Sequence, residues 1–292
     1  MTKIEYCDHT WNPVTGCGSV KISAGCNNCY AEAIVKGRLS NMPSLHYSQF
    51  RFNPAIKGWE LDNPNRYVPK KGVVFIGDMC DLLGLREVYD EATYLYHFDK
   101  RLDAGGKDFA KKIAQSDADE VVNKVLAFVR TRPQQQFLIL TKRHESLQHY
   151  DLAIHNLWVG VTICSQDEAY KIDSLVNSSA INKWLSIEPM LTPIGFNRSQ
   201  LGQVDWVVCG GERTQKAKAR PMTLDWAVDL MAACHVAGTY FFFKQLGSVF
   251  ESTYPINAPQ YKEVLRCKEL PPSLELKGGE GLNANKLERY EV

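Results

Sequence analysis

The sequence predicts an α/β fold arranged as a complete or partial βα barrel of the TIM-like kind. Two observations carry this. Short apolar runs rich in β-branched and aromatic residues recur along the chain, and they are continuous rather than alternating, the pattern of strands buried on both faces of a parallel sheet. About seven such runs occur, each followed by polar or helical sequence, a number that suits a barrel or an incomplete one. A doubly wound open sheet is built from the same right-handed unit and stands as the alternative.

The first strand is short, near residues 10–12, just before a cysteine-bearing loop. Residues 73–76 run into Gly77-Asp78-Met79-Cys80-Asp81, residues 137–140 into Thr141-Lys142-Arg143, and residues 157–163 into Cys164-Ser165. Residues 184–187 lead to Glu188-Pro189-Met190, residues 206–208 to Cys209-Gly210-Gly211-Glu212, and residues 240–243 to Lys244-Gln245-Leu246-Gly247. Between them, residues 119–130, 166–176 and 224–237 read as helices. Parallel α/β folds gather their catalytic groups at the carboxyl ends of the strands. Here those ends carry Asp78, Asp81, Lys142, Arg143, Glu188, Glu212 and Lys244, a rim around one expected site.

With 292 residues and 45% hydrophobic content, the chain can bury one large core. Residues 1–250 are expected to form one barrel domain with the N-terminal cysteine loop, and residues 251–292 a C-terminal extension or tail, with residues 277–286 as loop. No apolar run approaches the roughly 18 residues that span a bilayer, and residues 1–6 lack the features of an export signal, so a soluble, cytoplasmic protein is expected. Nine cysteines, an odd number, argue against a disulfide framework and for a reducing compartment. The formal net charge of +1 provides no bulk drive toward nucleic acid or an anionic membrane. Lys142 with Arg143, and Lys216, Lys218 and Arg220, are the local basic candidates.

Cys17, Cys26 and Cys29 share one loop at C-x8-C-x2-C spacing. Three is the informative number, because a structural zinc site closes its tetrahedron with four protein ligands. An iron–sulfur cubane held by three thiolates instead leaves one iron free for a ligand. The zinc reading needs a fourth donor, which Cys7 or His9 could supply. Cys7, Cys80, Cys164, Cys209, Cys234 and Cys267 read as packing residues, although Cys80, Cys164 and Cys209 at strand ends leave an auxiliary cluster open. A thiol enzyme using Cys29 would need a histidine, and neither His9 nor His46 sits in a dyad sequence.

The segments Ile4-Glu5-Tyr6, Thr10-Trp11-Asn12-Pro13-Val14-Thr15-Gly16-Cys17, Cys26-Asn27-Asn28-Cys29-Tyr30-Ala31-Glu32 and Leu140-Thr141-Lys142-Arg143 carry a family resemblance. So do Leu185-Ser186-Ile187-Glu188-Pro189, Gly210-Gly211-Glu212, Ala219-Arg220-Pro221-Met222 and Phe242-Phe243-Lys244-Gln245. In colinear order from Ile4 to about Gly247, the chain resembles the phage-type three-Cys-motif, radical-SAM-like proteins, a family without a settled function. The resemblance implies a barrel of the radical S-adenosylmethionine (SAM) type and a [4Fe–4S] cluster on Cys17, Cys26 and Cys29. It also implies cleavage of SAM to methionine and a 5′-deoxyadenosyl radical, with electrons from a cellular or phage donor.

Two departures mark this chain. Its C-x8-C-x2-C spacing exceeds the C-x3-C-x2-C usual in the wider superfamily, and its Gly-Gly-Glu follows a late strand rather than the second. After the second strand stands Gly77-Asp78-Met79, so the contact to the SAM amino group is assigned to Asp78. Tyr30 is expected beside the adenine, Gly210 and Gly211 where backbone approaches the adenosyl moiety, and Glu188 near ribose hydroxyls. Lys142 and Arg220 are expected to hold a carboxylate or phosphate. The substrate is expected to be a nucleoside, nucleotide or nucleic acid, alone or presented by a partner protein, with no membrane involved. The catalytic residue is not assigned. A zinc-stabilised nucleic-acid-binding module without activity is the alternative.

Overall fold

The computed structural model of the chain describes residues 4–39, 52–96, 110–251 and 255–274. The expected strands all form, in one seven-stranded sheet: β1 (His9–Trp11), β2 (Val74–Ile76), β3 (Phe137–Thr141), β4 (Leu157–Thr162), β5 (Asn182–Ile187), β6 (Trp206–Gly210) and β7 (Tyr240–Gln245). Every neighbouring pair is parallel and the spatial order follows the chain. A doubly wound sheet needs a point where that order reverses, and there is none here. Because β1 and β7 are the two ends of the order, the curled sheet is a half barrel.

Among the described helices are α1 (Tyr30–Ile34), α2 (Gln115–Arg130), α3 (Lys171–Val176), α4 (Leu224–Ala237) and α5 (Pro259–Arg266), and Gly58–Asp62, Pro64–Tyr67 and Arg198–Leu201 form further short helices. Helix α2 begins earlier than residue 119 because the Asp117 carboxylate turns back to accept the Ala114 backbone N–H at 2.9 Å. The helix expected at 166–176 is broken into a single turn, Gln166–Glu168, and α3. The Glu168 carboxylate is engaged by the cysteine loop instead. Helix α4 stops where expected, at Gly238, whose φ of 79° is the left-handed conformation that ends helices.

Side chains alternate between the two faces of the sheet. Ile76, Ile139, Val159 and Leu185 pack against the helices, with Val121 and Val125 of α2 among their partners in the main core. The concave face carries a second core, built around Phe75, Leu138, Trp158, Trp184, Trp206 and Phe242. The rings of Trp184 and Trp206 lie 5.5 Å apart, and Tyr6 meets both edge-on at 5.9 and 5.5 Å. The buried indole N–H groups are satisfied: Trp184 donates to the Ile139 carbonyl at 3.2 Å and Trp206 to the Glu269 carbonyl at 3.0 Å. Gly160 of β4 makes room for this layer, since a Cβ there would fall 2.4 Å from the Trp184 ring.

Two small sheets were not foreseen. Val14–Thr15, Ala55–Lys57, Thr93–Leu95 and Ala110–Lys112 form one, and Met222–Thr223 pairs with Phe250–Glu251 in the other. Strands of two or three residues are too short for a period of two to show.

Residues 255–274, within the expected extension, pack onto the barrel. Lys268 forms an antiparallel bridge with Phe242 at the free edge of β7, flanked by Phe243 N to Cys267 O at 2.8 Å and Glu269 N to Phe241 O at 3.1 Å. The Lys268 ammonium reaches Glu5 at 2.9 Å, and Leu270 and Leu274 join the aromatic core. Residues 277–286 and His46 lie outside the described residues. Among the described residues no helix is long and apolar enough to cross a membrane.

Replacing Gly160 with Ala is expected to destabilise the fold by roughly 1–3 kcal/mol, the usual result of forcing atoms into a filled core. A urea midpoint equal to that of the parent chain would show that the tryptophan layer has slack.

Candidate functional site

The carboxyl ends of the strands open on a cavity of about 370 Å³. Cys17, Cys26, Cys29 and Tyr30 line it from the cysteine loop. Asp78, Lys142, Glu188 and Gly211 line it from the ends of β2, β3, β5 and β6. Gly210 and Arg220 are not among its lining residues.

The cysteine loop is fixed to this rim by its backbone. Gly16, at φ 88°, makes a turn that no side chain could enter, because a Cβ would lie 2.4 Å from the Asn53 carbonyl. Gly16 N donates to Met79 O at 2.9 Å and Cys17 N to Phe52 O at 3.0 Å. The Cys17 carbonyl accepts from buried Arg143 at 3.3 Å, and Arg143 is held by Asp81 at 3.6 Å. Further along, Gly25 sits so close to β4 that an added Cβ would be 2.6 Å from Cys164 Sγ.

Two buried carboxylates tie the loop down. Glu168 accepts from Ser23 Oγ at 2.8 Å and Ala24 N at 2.9 Å on the loop, from Cys164 N at 3.2 Å, and pairs with Lys171 at 3.1 Å. Glu212 accepts from Asn28 Nδ2 at 2.9 Å and from the Arg220 backbone N–H at 2.9 Å, and its carboxylate meets the Arg220 guanidinium. In both, burial works against the charge, but the hydrogen bonds and the paired cation prevail and hold the carboxyl below its ordinary value.

Glu188 is braced by Lys244 at 2.8 Å and by the Tyr6 hydroxyl at 3.3 Å, with the Lys244 ammonium 5.4 Å from the Tyr6 ring centre. Burial, then the Glu188 charge, pushes the Tyr6 phenol far up, so it is a hydrogen-bond donor. Asp78 accepts from Asn12 at 2.6 Å; burial raises its carboxyl despite that bond. The Tyr30 hydroxyl bonds the Asp78 carbonyl. Lys142 N donates to Asp81 at 2.9 Å, while its ammonium lies 3.4 Å from Thr162 Oγ1. Burial opposes the Lys142 charge, and neighbouring Cys164, Cys26, Cys29 and Asp81 outweigh it, raising its value.

Close packing of the chain on itself shapes the surroundings of the glycine pair and of Arg220. A Cβ on Gly211 would lie 2.1 Å from the Leu246 carbonyl, and one on Gly210 would lie 3.3 Å from the Gln245 carbonyl, so the pair lets the chain after β7 pack close, while Gly211 also lines the cavity. The guanidinium of Arg220 is spent on Glu212. Tyr6, Asn12 and Glu168 are site residues that the sequence reading does not single out, whereas Lys244 belongs to the expected rim without an expected role. Glu168 follows Ser165 in the spacing of a helix-capping pair, which masks its long-range role.

All nine cysteines are free. Thiols spread around one cavity suit a cluster in which each takes a different iron. Burial pushes the Cys17 thiol well up, so a metal must displace its proton.

A family model described as "Protein of unknown function (DUF5131)" matches residues 1–94 and 108–276. The chain belongs to that family. No curated protein and no solved structure matches it. The matched segments of this DUF5131 chain contain every residue found to line the cavity.

Glu168→Gln removes the charge that Lys171 and the loop share, and is expected to cost roughly 3 kcal/mol, as when one partner of a buried pair is lost. Faster alkylation of Cys26 and Cys29 should accompany it; unchanged rates would mean the loop is held by something else. The same pair sets a pH dependence. A carboxyl held low in the folded chain contributes stability above about pH 4.3, and loses it as pH falls through its folded value. The gap between the urea midpoints of parent and Glu168→Gln should therefore be widest near neutrality and shrink below about pH 4.

Proposed function

We propose that this chain is a radical SAM enzyme, holding a [4Fe–4S] cluster on Cys17, Cys26 and Cys29 and acting on a nucleoside, nucleotide or nucleic-acid substrate. The observation that carries the reading is the gathering of three free thiols and a rim of strand-end polar groups around one cavity. The sequence resemblance to the three-Cys-motif proteins supports it. When bound, such a cluster leaves one iron to SAM and supplies the electron that opens the sulfonium to methionine and a 5′-deoxyadenosyl radical.

The chain's own residues bind and orient. Lys142 presents an ammonium group to a carboxylate, and Asp78 an acceptor to an amino group. Glu188, braced by Lys244 and Tyr6, presents carboxylate oxygens to ribose hydroxyls. Tyr30 contributes an aromatic ring to the wall of the cavity. Glu168 and Glu212 keep the loop that bears the thiols at the rim. A space of about 370 Å³ is in the range of small-molecule sites, so it suits a nucleoside-sized group such as the adenosyl part of SAM rather than an intact duplex.

Anaerobic reconstitution with ferrous iron and sulfide is expected to give a brown protein with about four irons per chain. Alanine at Cys17, Cys26 or Cys29 should abolish the cluster, while Glu188→Gln should weaken SAM binding and spare the iron. With SAM and a strong reductant, methionine and 5′-deoxyadenosine should appear without added substrate. Iron-replete protein that neither binds SAM nor forms 5′-deoxyadenosine would reject the proposal, and a colourless zinc protein would favour the binding module instead.

A further inference from the structure

A second group of metal-ligating side chains lies apart from the cavity, beside the first residues of β7. His235 stands in the last turn of α4, and Cys267 and Glu269 follow α5. One ligand atom from each lies within 4.8 Å of the other two, and among the described residues this is the one such group found. None of the three lines the cavity.

The local structure arranges them for a shared ligand. Residues 267–269 run along the edge of β7 in extended register, and in an extended segment residues two apart point to the same side. Cys267 and Glu269 thus face one way, and His235 meets them from the helix. Its Nε2 lies 3.1 Å from Glu269 Oε1. Around a tetrahedral ion with bonds of about 2.0 Å, nitrogen and oxygen ligands stand about 3.3 Å apart, so this edge of the polyhedron already exists. The other carboxylate oxygen, Oε2, accepts the Phe241 backbone N–H at 2.8 Å. Outer bonds of that kind are what orient metal ligands. The His235 and Glu269 side chains are 41% and 37% exposed, which gives an ion a way in.

We propose that His235, Cys267 and Glu269 form a divalent-metal site of the zinc class, with three protein ligands and one position left to water. Imidazole and thiolate select zinc over magnesium or calcium, which take oxygen.

The test is zinc content after equilibration with Zn²⁺ and desalting, in four full-length chains: the parent, His235→Ala, a variant with Cys17, Cys26 and Cys29 all changed to Ala, and that variant with His235→Ala added. About one zinc should remain in the triple-cysteine variant, as three ligands at one site require, and be lost when His235 is also replaced. In the same background Co²⁺ should give a thiolate-to-cobalt absorption band that Cys267→Ser removes. A triple-cysteine variant that folds but holds no zinc overturns the proposal, as does zinc content indifferent to His235→Ala, and either leaves a plain histidine–glutamate pair. Should the triple variant fail to fold, the parent and its His235→Ala form decide: a difference of about one zinc supports the site, equal contents reject it. Neither result bears on iron at the cysteine loop, so this proposal and the radical SAM reading stand or fall separately.

Discussion

A parallel sheet that stops at seven strands leaves two backbone edges unpaired, and unsatisfied edges both cost stability and invite other chains. The chain covers the β7 edge with residues 267–269 and reaches across to Glu5 through Lys268. The concave face of the sheet is filled with rings, Tyr6 against Trp184, Trp206 and Phe242. Tyr6 is also where closure meets chemistry. Its ring belongs to the core and its hydroxyl to Glu188, so the segment that seals the barrel also sets a carboxylate at the cavity.

The site shows how a nearly neutral protein can build a charged rim. Its cations are largely spoken for by anions, Arg143 by buried Asp81, Arg220 by buried Glu212 and Lys244 by the partly buried Glu188. Paired in this way, the charges act as fixed dipoles that place backbone and carboxylate groups, rather than as a field that draws polyanions from a distance. Lys142 differs, with its ammonium beside a hydroxyl and among thiols.

The seven strands and their order of polar ends were legible because fully buried parallel strands read as unbroken apolar runs, and because the residue after each run must leave the core. The thiol loop was legible from spacing alone. Other features were hidden for physical reasons. Glu168 looks like a helix-start residue, and its true partners, Ser23 and Ala24, are far away in sequence. The two- and three-residue strands carry no measurable period. A glycine pair announces a close approach without saying to what: Gly210 and Gly211 pack against the end of β7 and the residue after it, and of the two Gly211 also lines the cavity.

The contact between Lys268 and Glu5 joins residues separated by 263 positions. Closing a loop of that length carries an entropic cost that local contacts must first offset. During synthesis the aromatic core therefore stays uncapped on one side until Leu270 and Leu274 have emerged. A ribosome paused before that point would display a nearly complete half barrel with its tryptophans still open to water and to chaperones.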